Sequence, residues 1–365
     1  MRERAHIVAL VVTLALLVAS LGARADSIPS SDYLRMAGGL VDTVVVPVYR
    51  DHAESMQALA DALAPMCEAP SVARLEEVRG KFRSALHAWQ RTQPIAFGPA
   101  TDGAGQARIE YWPDKRGTGA RQLRQALASE DASLLDANAL VFKSVAVSDL
   151  QALEQVLFDD DASLLEPGGY RCRLALAIAR HQSALAQSIL NAWTGERGYG
   201  FLVKTSEDGN DAYFDAKEPA GDIFKSFTGG LLFIADVKLT RPLGDGIEDA
   251  RGKRAESWRS QSSLDNIVAN LETLQQLFDA PHGIADLLVR VNAAPVAEGV
   301  SQRLGAALAT ARAIPVPLET AVSDPTHRGQ VVALRDDIQS LLRATNEHVG
   351  AALDLSKGFN STDGD

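Results

Sequence analysis

With 365 residues and a formal net charge of −11, the chain is long enough for two ordinary domains and a sizeable core, and its acidity disfavours nucleic acid and anionic lipid as partners. A composition of 46% hydrophobic and 23% charged residues excludes a disordered polymer. An acidic chain can also favour cations, against the simpler reading that the charge serves solubility.

Arg2 and Arg4 precede an apolar run from Ile7 to Ala19, and Ala23-Arg24-Ala25 has the small-x-small pattern of a cleavage site. Residues 1–25 therefore read as a secretory signal peptide. The run is short for a transmembrane helix, no later segment reaches spanning length, and no cysteine follows the site to carry a lipid. The expectation is a periplasmic protein with no membrane insertion after cleavage. Its two cysteines, Cys67 and Cys172, would then form a disulfide, the alternatives being a free reactive pair or a soft-metal site.

Helical periodicity follows. Leu34, Ala37, Val41, Val44 and Val48 form one stripe, which Pro47 should kink or interrupt, and Met56, Leu59 and Leu63 continue it. Leu75, Val78, Phe82, Leu86 and Trp89 form a second stripe that should stop before Pro94. From Gln93 to Gly119 the period is lost, and long loops inside compact domains are often functional. Helices resume near Arg121, and Leu150, Leu153 and Leu157 mark the buried face of another. After Pro167-Gly168-Gly169 comes a long helix with Leu174, Ile178, Leu185 and Ile189 on one face, and His181 among them as a satisfied core histidine.

In the second half Ile223, Phe227, Leu231 and Ile234 form a stripe, and Gly229-Gly230 within it implies close backbone approach to another element. A second irregular loop runs over 240–260, and Ser262 and Asp265 match a helix start. The remaining stripes are Leu264 to Phe278, Leu304 to Ala311, and Leu334 to Val349. No strand alternation is present. The fold class is all-α, as two antiparallel helical bundles with long irregular interface loops and a possible internal duplication. The boundaries are 1–25 for the signal peptide, 26–205 and 206–354 for the bundles, and 355–365 for a disordered tail.

Familiar catalytic signatures are missing: there is no H-E-x-x-H, G-x-S-x-G or P-loop, and no two histidines stand at helical ligand spacing. Three stretches instead combine loop, charge and aromatic residues. They are Phe97 to Gly117, Ser148 to Phe158, and Arg241 to Ile267. In the middle one, Gln151 and Glu154 sit three residues apart beside an apolar face, an unusual place for an amide and a carboxylate.

These stretches resemble the imelysin-like family of exported bacterial proteins, also classified as the M75 peptidases. The features that carry the resemblance are F-G-P at Phe97 followed by W-P-D at Trp112, the L-x-A-L-E-x-x-L-F helix from Leu150, and A-E-S-W-R-S-x-x-S-L-x-N-I from Ala255. The resemblance implies two helical bundles with a site between them, association with bacterial iron uptake, and a disputed peptidase assignment. Aligned on Glu154, the family's G-x-H-x-x-E motif puts Asp149 at its glycine and Gln151 at its histidine.

That replacement removes the strongest ligand. Imidazole suits iron and zinc, whereas an amide oxygen is a hard neutral ligand suited to calcium or to hydrogen bonding. Gln151 cannot serve as a general base, so metallopeptidase chemistry is the minority reading. The ligand-binding residues implied are Arg108, Trp112, Asp114, Asp149, Gln151, Ser257, Trp258 and Arg259, with Glu154 toward a metal such as iron or zinc. Structural readings stand beside these: Gln151 and Glu154 bonded to a loop or to Arg108, Arg116 or Arg259, Trp112 and Trp258 packed on the bundles, Asp114 as a cap, and Asp159-Asp160-Asp161 as a solvated helix end. The partner is a metal ion, a metal complex, or an exported or outer-membrane protein. A non-catalytic interaction module would need no metal.

Overall fold

The computed structural model describes residues 27–102 and 105–355. The expected signal peptide and all of the expected tail except Leu355 lie outside these residues, and Leu355 itself is buried. The described chain is helical, with no strand.

The first half is built from α1 (Ser30–Leu40), α2 (Val46–Glu68), α3 (Val72–Thr92), α4 (Thr118–Ser129), α5 (Leu150–Phe158) and α6 (Tyr170–Thr194). The second is built from α7 (Lys217–Leu232), α8 (Ser263–Asp279), α9 (Ala294–Ala313) and α10 (Arg328–Ala344). Helix α2 packs along both α3 and α6, and α5 lies on α6. In the second half α8 packs on α9 and α7, and α10 closes against α9 and α7.

The two halves share one core. Helix α3 packs on α8, and α1 lies on α7, with the Tyr33 hydroxyl donating to the Leu353 carbonyl (2.8 Å). The apolar stripes read from the sequence are the buried faces: Leu75, Val78, Phe82, Leu86 and Trp89 are all within 2% of full burial. Helix α3 opens on Ser71, whose hydroxyl accepts from the Arg74 amide, and ends before Pro94.

Pro47 does not break its helix. The turn before it, Val41–Val45, is π-helical, and that wider turn accommodates a ring that would clash with the carbonyl four residues back. The same device precedes Pro242, where Phe233–Leu239 is π-helical. Close approach at Gly230 is confirmed: a Cβ there would lie 2.9 Å from the Leu274 side chain of α8. Ser262 stands at the start of α8 but makes no side-chain cap. Its hydroxyl turns back to the Ser260 carbonyl at 3.5 Å.

Cys67 and Cys172 form a disulfide with Cα atoms 5.5 Å apart, joining the end of α2 to the start of α6. No helix among the described residues is long and apolar enough to cross a membrane. The acidic run after α5 is not merely solvated, since Asp159 pairs with Arg259, Asp160 faces Arg171, and Asp161 pairs with Arg79.

Candidate functional site

The two irregular loops and α5 meet where the halves join. Asp149 caps α5, accepting from the Ala152 amide (2.8 Å), and its second oxygen accepts from the Tyr111 amide (2.6 Å). Asp114 caps α4 through the amides of Thr118 (2.9 Å) and Gly119 (2.8 Å). Each aspartate therefore fixes a loop to a helix start, the arrangement that orphan N–H groups at helix N-termini demand.

Gln151 and Glu154 bind different partners, and both reach across to the second half. Gln151 Nε2 donates to Glu110 Oε1 (2.6 Å) and to Ser257 Oγ (3.4 Å). Glu154 Oε1 accepts from the Ser260 amide (2.9 Å) and hydroxyl (2.7 Å). The amide and the carboxylate on α5 thus staple the 255–262 segment of the second half onto the first. None of the arginines named from the sequence hydrogen-bonds to either side chain, although the Arg259 charge acts on Glu154 and favours its ionised form. The backbone of that segment is tight, with Ser257 and Gln261 at positive φ.

Behind Gln151 lies a buried polar network. Glu110 Oε2 accepts from Trp89 Nε1 (2.6 Å) and Gln90 Nε2 (2.9 Å). Lys238 Nζ donates to Gln90 Oε1 (2.5 Å) and to Glu256 Oε2 (2.7 Å), and both members of this ion pair are 1% exposed. Glu256 also accepts from Asn266 Nδ2 (3.0 Å) and Gln93 Nε2 (3.3 Å). Burial, with Glu256 nearby, pushes the Glu110 carboxyl well above its ordinary range, against the opposing pull of Lys238 and its N–H donors.

In front of Gln151 is a cavity of about 300 Å³. Its wall includes Tyr111, Trp112, Asp114, Asp149 and Gln151 from the first half, and Arg241, Lys253, Arg254, Trp258 and Arg259 from the second. Trp112 packs edge-on to Phe233 at 6.1 Å and also lines the cavity, so packing and exposure to the cavity coexist. Trp258 is covered by Arg259 at 4.6 Å and Lys253 at 5.0 Å.

Six of the residues singled out from the sequence therefore line one cavity: Trp112, Asp114, Asp149, Gln151, Trp258 and Arg259. Ser257 and Glu154 are buried behind it, and Arg108 lies away from it, its carbonyl accepting from Gln182 Nε2 (2.9 Å). The sequence reading missed Lys238, Glu256 and the cavity cations Arg241, Lys253 and Arg254. For Lys238 a signal existed: it stands four residues after Ile234, on a stripe otherwise apolar.

The residues present do not fit a directly coordinated metal. Among the described residues no group of three or more His, Cys, Asp or Glu could hold one. Glu154 keeps one buried oxygen without a partner, but a single free carboxylate oxygen is far short of a three- or four-ligand site.

Glu154 makes a testable contribution to stability. Burial raises its carboxyl to about 7, with the Ser260 donors opposing, and burial likewise raises Asp149 to about 7. A folded-state value above the unfolded one means that stability is fully present below the unfolded value and is lost as pH rises through about 7. Glu154→Gln should therefore gain on the wild type between about pH 4.5 and 7, by on the order of 3 kcal/mol at the top of that window. A new amide donor without a partner shifts the whole curve but not this slope. Urea melts across the window check it, and parallel curves for the two proteins would refute it.

The comparisons with known proteins agree with this architecture. The Imelysin family model, peptidase family M75, matches residues 45–345. The chain is 26% identical over 306 residues to iron-regulated protein A of Synechococcus elongatus, covering 81% of this chain and 79% of that protein. In fold it resembles an imelysin-like protein from Psychrobacter arcticum 273-4, with a TM-score of 0.78 at 20% identity, covering 91% of this chain and 99% of the other. A candidate iron-regulated protein A precursor from Parabacteroides distasonis ATCC 8503 superposes with a TM-score of 0.74 at 15% identity, covering 91% and 97%. A family match spanning most of the chain, on an all-helical fold of the same kind, places this protein in the imelysin family.

Proposed function

We propose that this protein is an exported component of bacterial iron acquisition that binds a metal complex, rather than a bare metal ion, in the cavity between its two bundles. The observation that carries the reading is the cavity itself. It is walled by both halves, it exposes Trp112, Trp258 and Gln151, and no multidentate ligand cluster stands among the described residues. Relationship to a protein named for iron regulation supplies the link to iron. The volume is at the small end of ligand pockets, which suits a compact chelate.

The test is equilibrium dialysis of residues 26–365 against free ferric and zinc ions and against preformed ferric chelates, with bound metal read by elemental analysis. Iron retained stoichiometrically only as a chelate, and released by Trp258→Ala, is the expected result. Free ions retained equally well, or no retention of any complex, would overturn the reading. Chelator-sensitive cleavage of a peptide library would move the assignment to a peptidase.

A further inference from the structure

The chemistry of the cavity wall goes further than its position. Four cationic side chains line it, Arg241, Lys253, Arg254 and Arg259, against two carboxylates. This happens in a chain of net charge −11, so the cations are concentrated here against the overall balance. The two carboxylates, Asp114 and Asp149, already accept from backbone amides with both oxygens, so their lone pairs are largely engaged by the helix starts they cap.

The cations are not equally engaged. Arg259 is paired with Asp159 (2.8 Å), and Lys253 lies over the Trp258 ring. Arg241 and Arg254 make no ion pair among the described residues, and the Arg241 Nε is buried without a hydrogen-bond partner. Burial and the neighbouring Arg254 charge both disfavour the Arg241 guanidinium. Two neighbouring like charges, Arg241 half-buried with an unused donor and Arg254 exposed beside it, are a cost that a bound anion removes. Guanidinium forks match carboxylate and phosphate oxygens in pairs, and the aromatic side chains of Tyr111, Trp112 and Trp258 line the cavity beside them.

We infer that the cavity is a polyanion site: it takes a compact ligand bearing two or more carboxylate or phosphate groups, held by Arg241 and Arg254 with Lys253 at the rim. This deepens the reading of the cavity as the binding site. The ligand charge would come either from a metal-free organic anion or from the chelating shell of a metal complex. The wall supplies donors to the anionic oxygens in both cases.

The test is titration of residues 26–365 with citrate, with ferric citrate and with ferric ion lacking a chelator, followed by calorimetry and tryptophan fluorescence. Citrate should bind with or without iron, and affinity should fall as sodium chloride is raised. Arg241→Ala with Arg254→Ala should weaken it by about tenfold or more, the loss of charge-assisted hydrogen bonds. Lys253→Glu, at an exposed position, should weaken it in the same direction and keep the test intact if the double variant misfolds. Repeating the titration with inorganic phosphate and pyrophosphate distinguishes a carboxylate from a phosphate preference. Binding of metal-free citrate with no binding of ferric citrate would uphold the polyanion site and refute the metal-complex function. Binding of ferric ion alone, insensitive to these charge changes, would overturn the polyanion site. No binding of any of these anions would overturn it as well.

Discussion

Replacing Lys238 by alanine is expected to cost the fold about 3–5 kcal/mol at neutral pH, the penalty for removing one partner of a buried ion pair. The ammonium and the Glu256 carboxylate are each 1% exposed and lie 2.7 Å apart. Without the ammonium, Glu256 keeps only neutral donors, Gln90 Oε1 keeps only Asn270 Nδ2 at 3.4 Å, and Glu110 loses the one cation that opposes its burial. A buried charge that loses its counter-ion keeps its desolvation cost. The sign of the pH dependence follows. Lys238 opposes the upward shift of the Glu110 carboxyl, so the deficit should be smaller in acid, where carboxylates take up protons, than at neutral pH. Adding Glu256→Gln to Lys238→Ala should recover part of the loss, because a neutral amide replaces the stranded charge. Urea melts of the single and double variants at acid and neutral pH check this. Equal losses in both variants at both pH values would mean that the pair carries no net electrostatic stabilisation.

Replacing Cys67 and Cys172 together by alanine should lower stability by about 2–4 kcal/mol. The bond spans 105 positions of sequence, so it restricts a long loop of the unfolded chain. It also ties α2 to α6 at a point where both sulfurs are buried, so the alanines leave small voids in a packed region. The measurable result is a lower urea midpoint for the double variant, matched by the wild type in the presence of a reductant. A midpoint unchanged by either treatment would show that helix packing alone closes this end of the bundle.

How much of this was legible in advance differs by element. The stripe through Leu75, Val78, Phe82, Leu86 and Trp89 fixed a helix, its buried face and its end before Pro94, since periodicity and proline sterics act within a few residues. Gly230 pointed correctly to a close approach, though not to Leu274 as the neighbour. Pro47 read as a kink or interruption, and the structure interrupts the α-helical run with a π turn, Val41–Val45, just ahead of it. In the candidate site, Trp112, Asp114, Asp149, Gln151, Trp258 and Arg259 were named from motif and composition, and they do share a wall. Arg108 had the same local appearance and lies elsewhere, because what separates it from Arg241 is the course of the loop.

The sequence by itself determined the helical class, the buried faces, the cysteine pair and the segments from which the site is built. All of these depend on spacing within one helix or on residue type. Only the tertiary structure decided that Gln151 reaches Glu110 and Ser257, that Glu154 holds Ser260, that Lys238 is buried against Glu256, and that Arg241 and Arg254 share a wall with Trp112. Each of these depends on residues brought together across the junction of the two halves. Burial and charge pairing are set by three-dimensional neighbours, and a lysine or glutamate carries no local mark of which neighbours it will meet.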